Sequence, residues 1–183
     1  HSAEKVRLTL RPAEEDSGVR FVRSDSPEKD PIRAHAENVS DTMLSTSIGD
    51  SSLQVATVEH LMAALWGMGI DNIIIELSAS EVPILDGSAA PFMDLIVSAG
   101  IVEQKGRKQF IRIKREVRVT QGDGYASLKP YAGFKGSYTF VSNHLAYESF
   151  PKSVSLDFSS VSFAESVGAA RSFGLMEELS QAQ

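Results

Sequence analysis

Glu59 and His60 stand side by side near the start of a helix-forming run, Thr57-Val58-Glu59-His60-Leu61-Met62-Ala63-Ala64-Leu65. Free backbone N–H groups and the positive end of the helix dipole favour a carboxylate in a first helical turn. A neutral imidazole there offers a ring nitrogen to a metal, and the adjacent carboxylate can act as base on a metal-activated water. Neighbouring helical residues point about 100° apart, so the pair can flank one pocket without both ligating one ion. Helix-end electrostatics and ordinary packing also account for the pair, because no His-Glu-x-x-His spacing accompanies it. The other histidines, His1, His35 and His144, are far apart and form no local metal motif. No Gly-x-Ser-x-Gly elbow is present, and with no Cys there is neither a thiol nucleophile nor a thiolate metal site. Gly122-Asp123-Gly124 reads as a turn, since no strand and helix flank it as a phosphate loop requires. Asp86-Gly87-Ser88 reads either as a carboxylate site or as a turn with helix capping.

The elements that would position these residues follow from periodicity. Lys5 to Pro12 and Val19 to Arg23 alternate polar and apolar residues and predict strands with one wet face. Ser24 to Pro31 is a loop, and His35 to Thr46 has no clean period. Leu53 to Ala56 is a short strand. Thr57 is the expected N-cap of the helix carrying Glu59, with Leu61, Ala64, Leu65 and Met68 as its apolar stripe and Gly67 and Gly69 ending it. Asp71 to Leu77 is a β-branched run and predicts a buried strand. Ser88 or Ala89 before Pro91 opens a second helix closed by Gly100, with Phe92, Leu95 and Ile96 toward the core. Gln104 to Lys108 is polar and basic, a candidate linker. Beyond it, strands are expected at Phe110–Ile113, Glu116–Val119, Tyr125–Leu128, Gly136–Val141 and Val154–Phe158. Gln121 to Gly124 makes a hairpin turn. Helices are expected from Ser162 to Ala170 and from Met176 to Ala182. The reading is α+β, in two domains of similar outline: 1–105 carrying the Glu-His pair, and 106–183 incomplete.

Length and charge narrow the function. The 183 residues are 42% hydrophobic and 23% charged, which is ordinary for a globular chain and argues against disorder. A net charge of −6 disfavours non-specific binding to nucleic acid or to an anionic membrane. No apolar run approaches the roughly 20 residues of a membrane helix. Absent cysteine fits a cytoplasmic protein. The chain opens at His1-Ser2 and stops at Ala182-Gln183 just after a helix-like stretch, so both ends are expected to be cuts in a longer protein.

Three blocks together resemble one family. They are Thr57 to Leu65, then Gly69-Ile70-Asp71-Asn72, then Glu81-Val82-Pro83-Ile84-Leu85-Asp86-Gly87-Ser88-Ala89-Ala90-Pro91-Phe92. They closely resemble the UDP-3-O-acyl-N-acetylglucosamine deacetylases of lipid A biosynthesis. His1-Ser2-Ala3 resembles that family's His-Ser-Gly segment, and Ala170-Arg171-Ser172-Phe173-Gly174-Leu175 its Ala-Arg-Thr-Phe-Gly-Phe segment. The resemblance implies a zinc amidohydrolase that removes the N-acetyl group of a UDP-linked, 3-O-acylated glucosamine. Glu59 would be the general base and His60 a zinc ligand. Ser172 would offer its hydroxyl to the carbonyl or oxyanion. Phe173 would lie near the acyl passage and His1 near the polar end of the substrate. Met43 and Ser45 would line the mouth of the site, and His144 would meet the substrate from the second domain. The family's remaining zinc ligands come from a His-Lys-x-x-Asp-x-x-Gly-Asp helix that this chain lacks, and its later catalytic His is missing too. One His and one non-ligating Glu do not complete a three-ligand zinc site, so the chain alone is expected to be inactive and to hold zinc weakly. Departures at Ser142, Gly124-Tyr125 and Leu145 bear on nucleotide binding and motivate an alternative, a non-catalytic relative that binds or scaffolds. The expected partner is the UDP-linked acylated sugar, with no nucleic acid and no membrane span. The complete protein is expected to be a cytoplasmic monomer.

Overall fold

A computed structural model describes residues 4–142, 152–159 and 162–173. His1, His144 and the helix expected over Met176 to Ala182 lie outside these residues. The fold is α+β. The chain divides into two compact units: the first runs up to Arg107, the second spans Lys108–Ser166, and from Val167 the chain rejoins the first.

The first unit is built on a four-stranded sheet in the order β1-β7-β2-β3, formed by β1 (Leu8–Pro12), β2 (Val19–Arg23), β3 (Ile32–Arg33) and β7 (Ile73–Leu77). β7 runs antiparallel to β1 and parallel to β2. The β-branched run of β7 is not buried on both faces. Ile73, Ile75 and Leu77 point inward, while Ile74 and Glu76 alternate to the other, half-exposed face. There Glu76 meets Arg11 at 2.8 Å. On the inner face Phe21 registers with Ile75 and is fully buried.

A three-stranded sheet, β4 (Val39–Asp41), β5 (Ser47–Gly49) and β6 (Gln54–Val55), leads to helix α1 (Glu59–Gly67). The turn between β5 and β6 depends on Gly49. Its φ is +115°, and a Cβ there would stand 2.1 Å from the Leu53 carbonyl oxygen. Helix α1 turns Leu61, Ala64 and Leu65 inward. Helix α2 (Ala90–Ala99), with Pro91 in its first turn, does the same with Phe92, Met93 and Ile96, and the two helices pack together. Leu95, expected in the core, is instead exposed on α2, and Met93 holds the inward place.

The Thr57 expectation also fails. The N-cap of α1 is Val58, with no side-chain capping bond. Thr57 adopts φ +59° and is 1% exposed. Its hydroxyl donates to Glu81 Oε1 at 2.8 Å. A long-range partner has therefore replaced the local cap. At the other end, Gln104 Nε2 donates to the Ala13 carbonyl and the Lys105 amide to Glu15, which fastens this stretch onto the first unit.

The second unit holds two antiparallel strand pairs. β8 (Val117–Gln121) and β9 (Gly124–Leu128) pair antiparallel around the Gly122-Asp123 turn. Val117 and Val119 share a face with Leu128 and Ala126. On the other face the Arg118 guanidinium lies 3.8 Å from the Tyr125 ring centroid. β10 (Lys135–Thr139) and β11 (Ser153–Asp157) pair antiparallel, with cross-strand hydroxyl contacts Ser137–Ser155 and Thr139–Ser153. The Phe158 ring meets those of Phe134 and Phe163 at tilted angles, with centroids 5.7 and 6.2 Å away. Two expectations are corrected here. Phe110–Ile113 alternates like a strand but pairs with none of the described strands, and the helix expected from Ser162 to Ala170 is the four-residue α3 (Phe163–Ser166). None of the described residues of this unit is buried.

Candidate active site

Glu59 opens α1, and its carboxylate is tied to the loop before β5: the Thr46 amide donates to Glu59 Oε2 at 3.0 Å. The Val58 amide in turn donates to the Thr46 carbonyl at 3.2 Å. This reciprocal clasp brings the 42–46 loop to the helix N-terminus. Met43 and Ser45 arrive with it, so the structure joins two expected mouth residues to the expected base. Met43 is 76% exposed at the loop tip, and its amide is held by Asp41 Oδ1. Leu44 beside it takes φ +61°, a conformation that costs a non-glycine residue energy.

His60 is the next residue of the helix. Its Nδ1 is buried and has no hydrogen-bond partner. A buried polar atom left without a partner costs about 1–3 kcal/mol, and a metal ion or a proton donor would remove that cost. The imidazole therefore fits the role of a single metal ligand. Among the described residues no cluster of three or more His, Cys, Asp or Glu side chains could hold an ion, so these residues do not complete a metal site by themselves.

Ser172 and Phe173 belong to the part of the chain that returns to the first unit. The Ser172 amide donates to the Gly87 carbonyl at 2.8 Å; Ser172 and Phe173 are exposed, and Gly87 is buried. Ser172 is thus brought to the Asp86-Gly87-Ser88 turn, whereas Met43 and Ser45 are brought to Glu59. The two groups are connected through the stretch preceding that turn. Glu81 bridges Ala56 in parallel register and accepts the Thr57 hydroxyl, two residues before Glu59.

The Asp86 turn itself was open to two readings in sequence. Asp86 Oδ1 accepts both the amide and the hydroxyl of Ser88, at 2.9 and 2.7 Å. The Ser88 hydroxyl oxygen accepts the Ala90 amide at the start of α2. The Ser88 hydroxyl, followed by its amide and the nearby Arg171 charge, holds the Asp86 carboxyl below its ordinary value. A polar cleft of about 280 Å³ elsewhere in the first unit is lined by Arg23, Asp50, Ser52 and Gln54. Its charged groups are already engaged, Arg23 with Asp25 and the Gln54 carbonyl, and Asp50 with Ser52 and Leu53. It offers a ligand little.

Sequence reasoning missed the Thr46 backbone as the partner of Glu59 and Glu81 as the partner of Thr57. Neither has a local sequence signal, because both partners are set by tertiary pairing. No helix among the described residues is long and apolar enough to cross a membrane.

The family model for UDP-3-O-acyl N-acetylglycosamine deacetylase matches residues 1–183. The chain is 51% identical over 179 residues to the UDP-3-O-acyl-N-acetylglucosamine deacetylase of Marinobacter nauticus. It is likewise 51% identical to that of Hahella chejuensis and 47% to that of Methylococcus capsulatus. In each case 98% of this chain is covered and 59% of the relative, so the chain spans well under two thirds of the length of these relatives. The chain belongs to the UDP-3-O-acyl N-acetylglycosamine deacetylase family.

Proposed function

We propose, from membership of this family, that the chain carries the base and one metal ligand of an enzyme that hydrolyses the N-acetyl group of UDP-3-O-acyl-N-acetylglucosamine in lipid A biosynthesis. The observation that carries this reading is the pairing at the α1 N-terminus. A clasped carboxylate at Glu59 adjoins an imidazole at His60 whose buried nitrogen has no partner. His60 would hold zinc through a ring nitrogen, together with ligands outside the described residues. When bound, the metal supplies Lewis acidity toward the acetyl carbonyl and makes water a better nucleophile.

Glu59 takes the proton from the attacking water and later delivers it to the leaving amine. The Thr46 amide keeps that carboxylate in one orientation, so its free oxygen faces a constant direction. Ser172 donates its hydroxyl to the oxygen that gains negative charge. Met43 and Ser45 border the sugar from the loop clasped to Glu59, and Phe173 borders the acyl chain. His1 and His144 contact the polar end of the substrate. The working enzyme is cytoplasmic and monomeric in this reading.

The test is acetate release from UDP-3-O-acyl-N-acetylglucosamine by the full-length protein and its Glu59→Gln variant. The variant is expected to keep its metal and lose about 10²–10⁴-fold in kcat, the usual scale for a general base. A variant that turns over normally would remove Glu59 from the mechanism.

A further inference from the structure

The Asp86-Gly87-Ser88 turn has features that helix capping alone does not require. Ser88 is polar and 0% exposed. Its hydroxyl is used twice, donating to Asp86 and accepting from Ala90, so the turn is locked to the first turn of α2. Leu85, just before Asp86, is held at φ +51°, a costly conformation for a residue with a side chain, and Gly87 just after it takes φ +81°, which glycine adopts freely. The Gly87 amide closes the turn onto the Ile84 carbonyl at 2.9 Å. The Gly87 carbonyl accepts the amide of Ser172 at 2.8 Å.

The chain reaches Ser172 only after completing the second unit, so no local propensity fixes its position. A Cβ at Gly87 would meet Ser172 at 3.7–3.9 Å, ordinary contact, so the positive φ and not crowding makes the glycine necessary.

We propose that the Asp86-Gly87-Ser88 turn is a seat for the returning chain, with Asp86 and Gly87 as positioning residues that aim the Ser172 hydroxyl at the reacting carbonyl. The inference rests on the proposed role of Ser172 and deepens it. The Gly87 carbonyl fixes the Ser172 backbone, and Asp86, holding both the amide and the hydroxyl of Ser88, keeps the turn in the shape that presents that carbonyl. Displacing a catalytic donor by about 1 Å can cost 10²-fold in rate, so a seat of this kind acts on kcat. Neither residue touches the substrate, and KM is expected to change little.

The experiment is steady-state deacetylation by the full-length protein in a double-mutant cycle of Asp86→Ala and Ser172→Ala. Asp86→Ala removes the oxygen that accepts both the amide and the hydroxyl of Ser88 and so releases the turn. Ser172→Ala is expected to lower kcat by about 10²-fold, as loss of an oxyanion donor does. Asp86→Ala alone is expected to lower kcat by about tenfold, within the scale of a misplaced donor, with KM unchanged. In the Ser172→Ala background it is expected to cost nothing further, because there is no hydroxyl left to aim. An Asp86→Ala loss of the same factor in both backgrounds, or no loss in either, overturns the seat while leaving the Ser172 role intact. If Ser172→Ala itself turned over normally, the role of Ser172 and the seat built on it would both fall. Should Asp86→Ala not fold, Ser88→Ala removes the hydroxyl that ties Asp86 to the start of α2 and is read in the same cycle. Its loss is expected to vanish with Ser172→Ala, and a persistent loss overturns the proposal.

Discussion

Glu59 and His60 differ in how they are held, and the difference matches their proposed tasks. The carboxylate is fixed by a backbone donor from another loop, while the imidazole keeps a buried nitrogen without a partner. A base needs constant aim; a ligand needs a free lone pair. The placement of the pair in a first helical turn was legible because dipole and free N–H groups act locally. Thr57 was misread as a cap because its hydroxyl finds Glu81, which only tertiary pairing brings near. Asp86 makes a prediction at this same scale. Its carboxyl is lowered from 3.8, chiefly by the Ser88 hydroxyl. A depressed folded pKa contributes stability that is complete above the unfolded value and is lost as pH falls through the folded value. An NMR titration of the Asp86 carboxyl should therefore show a midpoint below 3.8. A midpoint at or above it would mean that the turn does not hold the charge.

The elements with a strong period were legible: β1, β2, β7, α1 and α2 all lie within the spans that alternation and helical spacing indicate. Pattern failed where an element depends on a partner. Phe110–Ile113 alternates but has no described strand beside it, and α3 ends after one turn. Leu95 has helical spacing yet faces out, because Met93 fits the inward side. The β5–β6 turn carries the strongest element-scale prediction. It joins the loop clasped to Glu59 with the strand leading into α1. Gly49→Ala forces a side chain into φ +115° and onto the Leu53 carbonyl. The expected cost is about 2–4 kcal/mol, strain plus a clash with backbone, read from urea unfolding. Turnover of the full-length protein should fall with it. An unchanged unfolding midpoint would show that the turn can be rebuilt without the glycine.

At the scale of the whole molecule the two units differ in how well they are covered. The first has a core of fully buried residues, Phe21, Leu61, Leu65, Ile75, Leu77 and Phe92 among them. The second has no buried residue among those described, and Val119, Tyr138 and Val154 are each more than half exposed. Local stability follows burial, so in hydrogen exchange of this chain the amides of β7 and α1 should outlast those of β8 and β9 by orders of magnitude. Equal protection would contradict the division. The return of the chain at Val167 to the first unit was not legible, since the docking of Ser172 on Gly87 is a single backbone contact with no sequence pattern. That return brings the proposed oxyanion donor to the unit that carries the proposed base, Glu59, and the proposed metal ligand, His60.

The claim on which the account turns is that His60 holds the metal beside the Glu59 base. Zinc content and acetate release should be measured together on full-length wild-type and His60→Ala proteins. The account predicts that the variant loses both bound zinc and turnover while remaining folded. A His60→Ala protein that kept its zinc and hydrolysed the substrate at the wild-type rate would contradict it.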